Sequence, residues 1–177
     1  KQMTNTRLTT INMALGTALA LTGCGSVGGG AYPPAQPALK AVKKSIIAVD
    51  GHRFKDLNAN GKLDRYEDWR LSVDERSSDL VNQMSDQEKA GMLMINDNNA
   101  GCLGAVTSTA TDYINNQKMT RFILRSTASL SPETNCGQPP ANSRGGYRVT
   151  PQQLATYTNA VQEMAEATRL GIPVLFK

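Results

Sequence analysis

Asp56, Asn58, Asn60, Asp64 and Glu67 carry side-chain oxygens at the first, third, fifth, ninth and twelfth places of one short run, Asp56-Leu57-Asn58-Ala59-Asn60-Gly61-Lys62-Leu63-Asp64-Arg65-Tyr66-Glu67. This spacing matches a calcium-binding loop. Calcium takes six to eight hard oxygen ligands, and alternate residues of a curled loop can aim that many at one point. Gly61 sits where the chain must turn sharply. Lys62 would offer only its backbone carbonyl, and Glu67 would close the sphere with both oxygens. Leu63 stands at the place of the usual apolar anchor. The competing reading is an Asx-rich turn ahead of a helix. With calcium bound, the expected role is structural.

Other residues narrow the chemistry. His52 is the only histidine, which excludes a histidine-rich metal site or a histidine-based triad in this chain. Cys102 and Cys136 lack zinc-ligand spacing. They form a disulfide or remain two independent thiols, since separation in sequence does not set a Cα distance. Glu75 and Glu88 fall at helix-capping positions, and Glu163 and Glu166 are expected on a helix surface. No carboxylate is nominated as catalytic.

Ser45–Gly51 reads as a strand and turn, so the loop is EF-hand-like in its ligands, with only an exiting helix. Ser72/Glu75 and Ser85/Glu88 are capping boxes opening two consecutive helices. The second runs into Met92–Ile95, which is either its end or the first strand of a sheet. Residues 96–112 read as loop, Ile114–Gln117 as a helical turn and Arg121–Arg125 as a short strand. Residues 126–149, with Pro132, Pro139 and Pro140, read as a long excursion that covers a site or is a plain surface insertion. Thr150-Pro151 starts a helix, with Leu154, Tyr157, Val161, Met164 and Ala165 at helical spacing and a stop at Gly171. Ile172–Phe176 reads as a buried strand. Helix, glycine and apolar strand form a unit of an α/β fold with a parallel sheet. The chain ends as that strand exits, so truncation at Lys177 is expected.

The N-terminus has a basic start (Lys1, Arg7), an apolar run from Ile11 to Leu21, then Leu21-Thr22-Gly23-Cys24. This is the order of a secretory signal, and its end resembles a bacterial lipobox with Cys24 as the lipidated residue. An ordinary signal or a buried helix is the alternative. With no Asp after Cys24, similarity to lipoprotein sorting favours the outer membrane. The expected organisation is a signal over 1–23 and a Gly/Pro-rich linker over 24–40. A strand plus calcium loop then spans 41–71, and an α/β domain 72–177. The 177 residues carry 19 basic and 15 acidic groups, +4 in all. Without Lys1 and Arg7 the balance is 17 against 15, or +2. So weak and scattered an excess argues against a nucleic-acid partner. No later stretch approaches the ~18 apolar residues of a membrane-spanning helix.

Two stretches together resemble glycoside hydrolase family 3, the β-glucosidase family. The first is Asp68-Trp69-Arg70, Val73, Glu75-Arg76, Asp79-Leu80-Val81, Gln83-Met84 and Glu88-Lys89-Ala90-Gly91. The second is Asn159, Gln162, Ala165-Glu166 and Arg169-Leu170-Gly171-Ile172-Pro173-Val174. The resemblance covers about residues 64–177. It implies an incomplete N-terminal part of a (β/α)8 TIM-type barrel, a fold of roughly 250 residues. It also implies retaining hydrolysis of the O-glycosyl bonds of β-glucosides or oligosaccharides by two carboxyl groups. Both of those groups lie beyond Lys177 in the family's pattern, so the 177 residues alone are expected to be inactive. With the signal and lipobox at residues 1–24, the expected setting is the bacterial periplasm or outer membrane, held to the membrane by a lipid anchor. The alternative is a non-catalytic, calcium-binding surface lipoprotein.

Overall fold

The computed structural model describes residues 35–141 and 145–177. The signal reading (1–23), Cys24 and linker residues 24–34 lie outside the described residues. Residues 35–40 form no regular element.

Strands β1 (Ser45–Val49) and β2 (His52–Asp56) pair antiparallel, with Ser45 opposite Asp56 and Val49 opposite His52. Asp50 and Gly51 join them, both at positive φ (50° and 76°). Asp-Gly favours this two-residue hairpin turn because its twist matches that of the strands. The second strand is an addition to the strand and turn read from sequence. It delivers Asp56 directly to the start of the loop.

Helices α1 (Val73–Gln83) and α2 (Asp86–Leu93) both open on formed capping boxes, Ser72 with Glu75 and Ser85 with Glu88. Glu67 does not lead straight into α1. Asp68 accepts from the Arg70 backbone N–H and, on both oxygens, from its guanidinium. That local turn keeps the chain out of helix until Ser72 caps it. Gly91 lies where α2 meets the segment before β4. A Cβ there would stand 2.4 Å from the carbonyl oxygens of Gln117 and Lys118, so only glycine allows this approach.

Strands β3 (Asn96–Asp97), β4 (Arg121–Ile123) and β7 (Leu175–Phe176) form a parallel sheet in the order β3-β4-β7. Helix α3 (Ser108–Asn115) connects the first two, and α4 (Pro151–Glu166) precedes the third. Within the excursion, β5 (Thr127–Ala128) and β6 (Arg148–Val149) make a small parallel pair. The unit is mixed α/β, and its described strands close no barrel.

Three sequence expectations need correction. Residues 96–112 are not all loop, because β3, a 3-10 turn at Cys102–Gly104 and most of α3 fall there. Of the two readings left open for Met92–Ile95, the helix end holds: it is the end of α2 and its cap, with the strand starting at Asn96. Thr107 caps α3 through Ala110 N–H, and that helix therefore begins six residues before Ile114. Helix α4 ends at Glu166, ahead of Gly171, and only Leu175–Phe176 of the final run pairs as strand.

One face of the parallel sheet packs on the helices. Phe122, Tyr157, Val161 and Val149 are fully buried there, with Ile114, Met119, Ala165 and Val174 around them. A second cluster, Tyr66, Met84 and Leu170, draws in Leu57, Leu80 and Ile172. Arg169, just after α4, ties that segment to α1 and α2. It donates to the Glu88 carboxylate and to the Gln83 carbonyl.

Burial pushes the Glu88 carboxyl up, but bonds from Arg169 and from the backbone and hydroxyl of Ser85 outweigh it and hold the pKa below the ordinary value. A carboxyl depressed in the fold stabilises it at pH above the unfolded value, about 4.3 for Glu, and loses that contribution as pH falls through the folded value. Glu88→Gln is therefore expected to lower stability at pH 7 and to flatten the acid limb of a stability–pH profile. Parallel acid limbs for the two proteins would contradict this.

Candidate metal centre and strand-end cluster

The structure gathers the predicted loop ligands. Asp56 Oδ1 accepts from Asn60 N–H at 3.0 Å and Oδ2 from Gly61 N–H at 2.9 Å. Asn58 and Asn60 each turn their side-chain oxygen to the N–H two residues on, at 3.1 and 2.7 Å. Both amide NH2 groups donate to Asp64 Oδ2, at 2.8 and 2.7 Å. Glu67 reaches back across the loop. Its Oε1 accepts from Leu57 and Asn58 N–H, and its Oε2 from Asp64 N–H. Gly61, at φ +75°, makes the turn that permits this closure. Lys62 is exposed, which leaves its carbonyl as its usable group.

The fit to a cation rests on charge. Asp56 and Glu67 are each only 4% exposed. Among the described residues, neither they nor Asp64 form a salt bridge with a lysine or arginine. Buried carboxylates without a counter-charge are costly. Burial accordingly raises the Glu67 pKa, against the three N–H bonds that lower it. No three His, Cys, Asp or Glu side chains among the described residues form a metal cage by themselves. The asparagine oxygens and the Lys62 carbonyl would complete the set. Each amide oxygen keeps a second lone pair beside its backbone bond.

Anchoring differs from expectation. Leu63 is only half-buried, and Leu57 and Tyr66 enter the second core cluster instead. Tyr66 N–H donates to Asp79 of α1, and its carbonyl accepts from Arg76 of the same helix. Burial first, then the Glu67 charge, raises the Tyr66 pKa and keeps the phenol protonated. Glu166 also departs from a plain surface position. It accepts from the N–H groups of Val42 and Lys43 and pairs with Lys55 at 3.6 Å.

A second polar group lies where β3 and β4 end. Asn98 N–H donates to the Ile123 carbonyl, and Asn99 Oδ1 accepts from Arg125 N–H at 2.7 Å. Ser126 Oγ accepts from Ala100 N–H. These bonds hold Asp97 against Arg125, whose Nε lies 2.9 Å from both carboxylate oxygens. Asn98 takes the Tyr157 hydroxyl at 2.8 Å, while its Nδ2 has no partner among the described residues. Sequence reading passed over this group. Its one signal was a charged residue closing the run Arg121–Arg125.

Cys102 and Cys136 are bonded, with Cα atoms 5.4 Å apart. The bridge ties the turn after β3 to the 126–149 excursion. Closing a loop with a sequence separation of 34 is worth about 3–4 kcal/mol on the chain-entropy model. The double change Cys102→Ser, Cys136→Ser is expected to lower unfolding free energy by about that much. Denaturant midpoints that match with and without reductant would contradict it.

No family model matches the chain. It is similar to a periplasmic beta-glucosidase/beta-xylosidase of Dickeya chrysanthemi, with 42% identity over 129 residues. That match covers 73% of this chain and 18% of the relative. Two proteins of Aspergillus oryzae and Aspergillus flavus, each named probable beta-glucosidase C, are 30% identical over 117 residues. Each of these covers 62% of the chain and 15% of the relative. The chain thus spans less than a fifth of the length of the curated relatives it matches. No helix among the described residues is long and apolar enough to cross a membrane.

Proposed function

We propose that residues 72–177, entered through the hairpin and loop of residues 41–71, open the barrel domain of an exported glycoside hydrolase acting on β-glucosides or β-xylosides. The observation that carries this reading is the 42% identity to the Dickeya enzyme over most of this chain. The fold supports it. Strands β3, β4 and β7 are parallel, neighbours in sequence order, and helix-covered on one face, as the first three strands of a (β/α)8 barrel would be. The reaction is retaining hydrolysis, with nucleophile and acid/base supplied by later strands. The relative's periplasmic name supports export; the basic start, apolar run and Leu21-Thr22-Gly23-Cys24 of this chain are the basis for reading 1–23 as the signal and Cys24 as the site of lipidation.

In this reading Asp56, Asn58, Asn60, Asp64 and Glu67, with the Lys62 carbonyl, hold one structural calcium ion. The ion supplies the positive charge that the buried carboxylates lack. The loop it would fill follows the hairpin and contacts α1 and the second core cluster. The test is hydrolysis of nitrophenyl β-glucoside and β-xyloside by the chain expressed from its own start codon to its own stop codon. Release of nitrophenol with β-configured sugar is expected. No release from either substrate would overturn the reading.

A further inference from the structure

We propose that Asp97 and Arg125 bind hydroxyl groups of a neutral sugar, as a paired acceptor and donor at the mouth of the barrel. The inference deepens the glycosidase reading above and rests on it for the barrel.

Strand alternation places the pair. Asn96 donates to the Tyr113 hydroxyl of α3, and Asn98 accepts from the Tyr157 hydroxyl of α4. Both therefore face the helices, and Asp97 between them faces the other way. On β4, Phe122 and Leu124 pack in the helix-side core, so Ile123 and Arg125 share the opposite face with Asp97. Leu175, between Val174 and Phe176 of that same core, also faces this side and is 53% exposed. This is the face that a closed barrel turns inward. Asp97 and Arg125 stand at its C-terminal end, where barrel enzymes place their substrates.

The cluster is built rather than incidental. Backbone and side-chain bonds from Asn98, Asn99 and Ser126 fix both strand ends. Such support is what holds a binding group in one geometry. Both side chains remain about a third exposed, 35% for Asp97 and 28% for Arg125. The carboxylate accepts from hydroxyls, and the guanidinium donates to them. Their charges cancel, which suits a neutral polyol over an acidic sugar.

The test uses the chain expressed from its own start to its own stop codon, with D-glucose and its monodeoxy analogues as probes. Asp97→Asn and Arg125→Lys are each expected to raise the Kd of D-glucose about tenfold or more, the scale of one charge-assisted hydrogen bond. For one monodeoxy glucose the penalty should vanish, because the hydroxyl concerned is gone. Unchanged affinity, or an equal loss for every sugar, would overturn the inference, and continued hydrolysis of nitrophenyl glucoside would then leave the glycosidase reading standing. Glucose binding that depends on Asp97, without hydrolysis, would overturn the glycosidase reading and support this one. No glucose binding by the unaltered chain would overturn this inference.

Discussion

Calcium at a hundred times its dissociation constant is expected to add about 2.7 kcal/mol to the unfolding free energy. For a domain of this size that is a rise of roughly 5–10 °C in Tm. Glu67→Ala should abolish the rise, because it removes the residue that closes the loop through three N–H bonds. It should also lower Tm without calcium, since those buried N–H groups lose their acceptor. Asp56→Asn should weaken the calcium effect and lose one of the two bonds to Asn60 and Gly61, because an NH2 replaces one of the two accepting oxygens. Magnesium should do less, because it demands a tight octahedron and sheds water reluctantly. Thermal melts in millimolar calcium and in chelator decide it. Coincident melts would mean an Asx-rich turn that holds itself together by the amide contacts to Asp64.

Phe122→Ala is expected to cost about 3–5 kcal/mol. Phe122 is 0% exposed and central to the larger core. Its ring stacks on Tyr113 of α3 at 6.0 Å and meets Phe176 of β7 at 6.2 Å. One side chain thus joins two strands and a helix, and truncation leaves a cavity that the parallel ladder cannot collapse to fill. Phe122→Leu keeps most of the volume and should cost about 1–2 kcal/mol. The readout is the denaturant midpoint. A loss below about 1 kcal/mol for the alanine variant would mean the helix-side core is not packed around this strand.

Much of the local structure was legible because its signals are short-range. Each capping box is decided within four residues, and Ser72, Ser85 and Thr150 all cap as their spacing predicts. The loop was legible for the same reason, since alternation of Asx residues around Gly61 sets its curl. The helix over Ser108–Asn115 was harder. Its sequence is rich in Thr, Ser and Asn, which favour caps and turns. It exists because Ala110 and Ile114 bury against α4 and the sheet, and that tertiary gain is invisible in the local sequence.

The strand ends show the same limit. Asp97 and Arg125 are 28 residues apart, and only the parallel register of β3 with β4 brings them together. Nothing in the spacing of a carboxylate and a guanidinium announces such a pair. Strand β2 is a nearer miss. Asp50-Gly51 is a strong hairpin signal, yet His52–Asp56 reads as polar because its outer face carries Arg53 and Lys55. The buried positions are Phe54 and Asp56, and the aspartate is inward only because the loop needs it there.

As the opening of a glycosidase barrel, the chain must be followed by the strands that complete it. The most direct measurement is the nucleotide sequence of the locus beyond the codon for Lys177. An open frame of several hundred further codons is expected, supplying the remaining strands and two carboxylates for retaining hydrolysis. A stop codon immediately after Lys177 would contradict it.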